Sequence, residues 1–199
     1  MDAQVFWDVI GDYNSRTMIL QFVLLAFLVA ALVLSYSGKI RWLAKAALGI
    51  SNLYIGVVFF GMFGTQPIQT FFALPLYLCS GVLLLFESVK NRDDTLAKPS
   101  KWQAVLLLLY VLYPAISLAL GNSFPQMVTY IMPCPIVSLS IAVYSGYRKK
   151  NTLLLILLTL WGLTGVKSII FHAYEDIILL ICGIYGVYLV WNHLKKVKT

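Results

Sequence analysis

An all-α integral membrane protein, built as a seven-transmembrane-helix bundle, is the fold class this sequence predicts, and three observations predict it. The first is composition. Of 199 residues, 60% are hydrophobic and 12% are charged, against about 25% charged in a soluble domain. One core of this size has no room for so much apolar side chain, so lipid must be the solvent for much of the chain. The second is the spacing of charge. Residues 17–38, 46–86 and 102–147 carry none. A helix crosses the hydrocarbon with about 20 apolar residues, so these runs hold one, two and two spans. The third is the side on which the cations fall. Thirteen of the 15 Lys and Arg residues lie after the first, third, fifth and seventh spans. Under the positive-inside rule this predicts an outside N-terminus and a cytoplasmic C-terminus.

In chain order, the opening "MDAQVFWDVIGDYNS" has no basic start of a cleavable signal peptide. It predicts an outer-surface segment, with Phe6, Trp7 and Ile10 in the interface and Asp8 and Asp12 toward water. Span one is expected over 16–37 and span two over 41–64. They are followed, across the turn "GTQPIQT", by span three over 68–89. The one long polar loop, 90–101, leads into span four over 102–121. "GNSFPQ" then breaks the run before span five over 125–147. Spans six and seven are expected over 151–171 and 175–193. Residues 1–199 form a single transmembrane domain.

Small residues predict where the helices touch, since lipid gives apolar helices no drive to associate. Ser138, Ala142 and Gly146 in span five, Gly162 and Gly165 in span six, and Gly183 and Gly186 in span seven point to close packing of these three. Pro75, Pro114, Pro133 and Pro135 are expected to break spans three, four and five. A break at membrane depth frees backbone groups, which then need protein partners or a wet cavity. The Pro133-Cys134-Pro135 segment is therefore either a static kink or the wall of an internal cavity.

Few ionisable groups fall inside the spans. Lys167 near the end of span six, with Glu175 and Asp176 across the short turn "FHAYED", predicts an ion pair. That pair is either a staple of the outer turn or part of a vestibule with His172 beside it. Asp12 and Arg16, four apart, predict a second pair. Asn52, mid-span, needs a partner helix or water.

Several chemistries lack their residues. Span seven has no lysine between Asp176 and His193 for a retinal linkage. His172 and His193 lie at opposite ends, so they cannot hold a haem between them. No cofactor and no enzyme activity is implied. The net charge of +7 follows from the loops, and a nucleic-acid partner is not expected. Cys79, Cys134 and Cys182 lie in the outer halves of their spans, and thiolates select soft ions such as Cu(I). The leading expectation is a transporter or channel for an ion or small polar solute, bound by Asn52, Tyr113, Cys134, Lys167, His172, Glu175 and Asp176. The alternatives are a non-catalytic membrane scaffold or accessory subunit, and soft-metal handling by the three cysteines. The expected partners are the bilayer, the solute, and a second copy or another membrane protein.

At "YNSRTMILQ" (13–21), "LYPAISLALGNSFPQ" (112–126) and "MPCPIVSLSI" (132–141), the chain resembles an uncharacterised family of small bacterial multi-spanning proteins, a domain of unknown function. Tyr13, Asn14, Gln21, Tyr113, Pro114, Pro133, Cys134 and Pro135 carry the resemblance. It implies a multi-pass protein of the bacterial inner membrane and supplies no activity.

Overall fold

The computed structural model describes residues 3–198, and within them the chain is all-α. Six helices are long and apolar enough to cross a membrane. The first, α1 (Ala3–Tyr36), is continuous from the start of the described chain, which corrects the expected surface segment. Ile10 and Tyr13 are buried, and Phe6 and Trp7 pack on the core, while Asp8 and Asp12 face outward. At about 1.5 Å per residue, 34 residues reach roughly 50 Å, well beyond the hydrocarbon thickness.

The second helix, α2 (Leu43–Tyr54), runs on through a π-helical stretch, Ile55–Met62, and α3 (Leu74–Lys90) is entered through another, Gln69–Ala73. Pro75 falls in the first turn of α3, directly after the π stretch, and does not end the helix. The start of α4 (Lys101–Ala119) is fixed by a capping box. Ser100 N–H donates to Gln103 Oε1 at 2.8 Å, and Gln103 N–H to Ser100 Oγ at 3.4 Å. Pro114 lies inside α4 and does not end it. The carbonyl that loses its helical donor there is that of Tyr110; the neighbouring Val111 carbonyl accepts a bond from Tyr130 Oη at 2.9 Å.

The fifth span departs most from expectation. Only α5 (Pro133–Tyr144), 12 residues or about 18 Å, is helical; most of residues 121–132 form no helix. Pro133 and Pro135 do not interrupt a helix. They begin one, at its first and third positions. A helix start leaves four N–H groups without intrahelical partners. Inside a bundle each is expensive, and proline has none to strand. Only Cys134 brings an N–H to the first three positions.

Three further helices complete the chain: α6 (Thr152–Leu163), the single-turn α7 (Ser168–Phe171) reached through a 3₁₀ turn, and α8 (Ile177–Lys198). The helices α6 and α8 meet backbone to backbone, as their glycines predict. A Cβ built on Gly162 would lie 2.6 Å from the Gly183 Cα. Gly49 and Gly81 bring α2 and α3 together in the same way, and α5 lies buried between them and α8.

Three loops meet at one end of the bundle. Lys45, fully buried, pairs with Asp94 at 3.5 Å and lies 4.2 Å from the Tyr147 ring centre. Tyr147 Oη donates to the Arg41 carbonyl at 2.8 Å, and Lys149 N–H to Asp94 at 3.1 Å. Lys150 closes the end of α5. Its ammonium donates to the carbonyls of Tyr144 at 2.8 Å, Ser145 at 2.9 Å, and Tyr147.

Burial pushes the Lys150 pKa down to about 8; Asp94 opposes the shift, and Lys45 and Lys196 add to it. The unfolded chain therefore holds this proton up to the ordinary lysine range, while the folded one releases it near pH 8. Between those values the unfolded state binds more protons, so stability rises with pH. Thermal unfolding in detergent at pH 7.5 and 9.5 is expected to show a higher midpoint at the upper pH, with the difference shrinking in Lys150→Met. An equal difference in both proteins would assign it elsewhere.

Candidate functional site

Non-helical backbone inside a protein needs hydrogen-bond partners, and residues 121–132 receive them from side chains far away in sequence. Asn14 Nδ2 donates to the Pro125 carbonyl at 2.7 Å and the Met127 carbonyl at 2.8 Å. Tyr13 Oη donates to the Ile131 carbonyl at 2.5 Å, and Tyr77 Oη to the Pro133 carbonyl at 2.7 Å. Thr129 Oγ1 donates to Gln21 Oε1 at 2.7 Å, and Val128 N–H to Ser117 Oγ at 3.1 Å. The residues that carry the family resemblance, Tyr13, Asn14, Gln21, Pro114 and Pro133, thus gather on this segment.

The segment delivers the start of α5 to the floor of a cavity of about 340 Å³. Pro133, Cys134 and Pro135 line it from below, together with Asp176 from the turn that opens α8 and Trp161 from α6. Phe59 and Phe60 come from the π stretch after α2, and Gln69 and Phe72 from the π stretch before α3. The wider π turn re-aims side chains locally and recurs at functional places; both stretches here flank the cavity. Phe60, Tyr77 and Trp161 pack edge-on or tilted, with ring centres 5.0–5.4 Å apart. The buried Trp161 indole N–H faces the Cys134 thiol.

Asp176 is 8% exposed. Its Oδ1 accepts a 2.9 Å bond from Tyr113 Oη, and the Cys134 thiol lies beside the same carboxylate. Glu175, 1% exposed, turns the other way. Its Oε1 accepts from Ser117 Oγ at 2.7 Å and Asn122 Nδ2 at 3.2 Å, while its Oε2 has no partner.

Of the residues read from sequence, Cys134, Lys167 and Asp176 line this cavity, and Tyr113 holds Asp176 from behind. The expected ion pair from Lys167 to Glu175 or Asp176 does not form. Both carboxylates face hydroxyl and amide groups of α4 and its following turn, and Lys167 stands exposed at the cavity rim. Asp12 and Arg16 likewise make no ion pair and are exposed. His172 is exposed and meets Tyr174 at 3.1 Å. Asn52 is buried elsewhere, donating to the Leu48 carbonyl at 2.8 Å and Ser140 Oγ at 3.2 Å. The three cysteines do not share a site. Cys79 is exposed and Cys182 is buried, and among the described residues no three His, Cys, Asp or Glu side chains are placed to hold a metal ion. Gln69, Trp161 and Phe60 were not singled out in the sequence, where they read as ordinary turn and span residues.

Six long apolar helices with a short buried helix among them define a multi-spanning membrane protein. The chain belongs to DUF6064, a family of unknown function, which it matches over residues 3–198. No curated protein and no solved structure matches it.

Proposed function

We propose that the chain is a carrier for a small solute, with its site in the cavity that ends at the start of α5. The observation that carries this reading is the broken fifth crossing. Helices interrupted at depth build solute sites in transporters, where backbone and side chains at the break meet the cargo. Here the extended segment and α5 together make the seventh crossing. The cation-rich end, where Lys45, Asp94 and Tyr147 interlock, is cytoplasmic by the positive-inside rule. The N-terminus and the cavity mouth then lie outside, in the cell membrane, so the structure corresponds to an outward-open, inward-closed state. The turn from Tyr174 to Asp176 and the start of α5 form the floor that must move for release.

The test is access to Cys134 from outside. Intact cells or right-side-out vesicles are treated with a charged, membrane-impermeant organomercurial, and modified thiols are located by mass spectrometry. Modification of Cys134, lost in Cys134→Ser, is the expected result. A Cys134 that reacts only after unfolding would sink the carrier reading and favour a sealed membrane subunit that docks a partner.

A further inference from the structure

We infer that the cavity takes an organic cation: an amine with an apolar body, its ammonium seated against Asp176. The inference rests on the carrier reading for the cavity's side and purpose, and on the following geometry for its chemistry.

The floor holds a carboxylate whose partners are neutral, the Tyr113 hydroxyl and the Cys134 thiol. Lys167 lines the same cavity but does not pair with it. The start of α5 would ordinarily offer N–H donors and a positive dipole end to an anion. Pro133 and Pro135 remove two of those donors, which leaves the Asp176 charge less answered by backbone than at an ordinary helix start. A carboxyl group so nearly enclosed is costly to ionise unless a cation meets it.

The walls above suit a cation on an apolar stem. Phe59, Phe60 and Trp161 are aromatic, and ring faces attract ammonium groups, more strongly where water is excluded. The volume of about 340 Å³ accommodates a fragment-sized molecule. Its rim is apolar as well: Ile68, Phe72 and Ile170 line the cavity while being 59%, 43% and 66% exposed. An amine with a hydrocarbon body gains from such an entrance, and a hydrated inorganic ion does not. Lys167 is exposed at the rim and forms no ion pair with either carboxylate.

Three molecules of one shape separate the possibilities: 2-phenylethylamine, 2-phenylethanol and phenylacetate. Binding of each to the purified full chain in lipid nanodiscs is measured by calorimetry, and protection of Cys134 from the organomercurial provides a second readout. The amine is expected to bind at least about ten-fold more tightly than the alcohol, a margin of about 1.4 kcal/mol. Asp176→Asn should erase that margin while leaving alcohol binding in place. Should Asp176→Asn fail to fold, the ranking of the three ligands on the unaltered protein decides alone. Equal binding of amine and alcohol overturns the inference. So does tighter binding of phenylacetate that is lost in Lys167→Gln. If Cys134 is open to the reagent but the amine neither binds nor protects it, the ligand class fails while the carrier reading stands. If Cys134 is closed to the reagent, the carrier reading fails by its own test.

Discussion

Gly183→Leu is expected to unfold or strongly destabilise the protein, and Gly183→Ala to lower its stability by about 1–3 kcal/mol, the usual cost of overpacking a tight contact. The reason is what a new side chain meets. A Cβ at Gly183 would stand 2.6 Å from the Leu163 nitrogen and 2.8 Å from the Gly162 oxygen. These are backbone atoms, so no rotamer change relieves the clash, and the two helices must separate. In lipid their close contact is itself the main source of attraction, and separation forfeits it. In the 3₁₀ turn just past the end of α6, a Cβ on Gly165 would lie 2.8 Å from the Asp176 carbonyl and 2.6 Å from the Leu180 nitrogen. The α6–α8 approach therefore sets where Asp176 stands relative to Tyr113, and a folded Gly183→Ala protein should bind amines more weakly. Gly61→Ala is the control. Its nearest added contact, the Leu74 Cδ1 at 3.5 Å, is ordinary van der Waals distance, so a change of no more than about 0.5 kcal/mol is expected. Thermal unfolding in detergent ranks the three variants. A Gly183→Leu protein melting with the wild type would mean that the two helices do not touch as described.

The crossings were legible because polarity locates them. Of the seven expected spans, six coincide with long apolar helices, and apart from the start of the first their ends lie within a few residues of those observed. Hydropathy says which residues tolerate lipid, not which are helical, and this is why the fifth crossing was misjudged. Residues 122–132 are as uncharged as the α5 helix that follows, yet their hydrogen bonds go to Tyr13, Asn14 and Gln21, more than 100 positions earlier. No local pattern reports such a partner. The start of α1 was missed for a related reason. Asp8 and Asp12 read as a water-facing segment, but they occupy one side of a helix whose other side buries Ile10, Tyr13 and Asn14. For the site, the opposition of charge was read wrongly as a pair. Lys167 and Asp176 line one cavity, while the carboxylates satisfy themselves on Tyr113, Ser117 and Asn122. Tyr113 was among the residues that carry the family resemblance. Asn52 was chosen for its depth alone, and depth without direction does not distinguish a cavity wall from a helix contact.

Asn14→Ala is expected to cost about 2–5 kcal/mol, because one side chain satisfies two backbone carbonyls of a non-helical segment. Each stranded polar group costs about 1–3 kcal/mol, and the Pro125 and Met127 carbonyls would both lose the Nδ2 donor. The Oδ1 atom also accepts from Gln21 Nε2 at 3.1 Å, so the loss spreads through the network. Asn14→Asp is the sharper variant. It keeps shape and volume but turns the donor into an acceptor aimed at two carbonyl oxygens, and it should destabilise at least as much as alanine. Thr17→Ala, one turn on, removes a hydroxyl that bonds mainly within its own helix, to the Tyr13 carbonyl at 2.6 Å, and should cost about 1 kcal/mol or less. At about 2–4 °C per kcal/mol for a chain of this length, Asn14→Ala should melt at least about 5 °C below the wild type, and Thr17→Ala close to it. Hydrogen exchange supplies the local readout, with faster exchange across 122–132 in the Asn14 variants than in α6. If Asn14→Ala melts with the wild type, the segment is held by something other than this amide. If exchange accelerates everywhere equally, Asn14 acts on the whole bundle rather than on the strand of backbone that carries Pro133, Cys134 and Pro135 to the cavity floor.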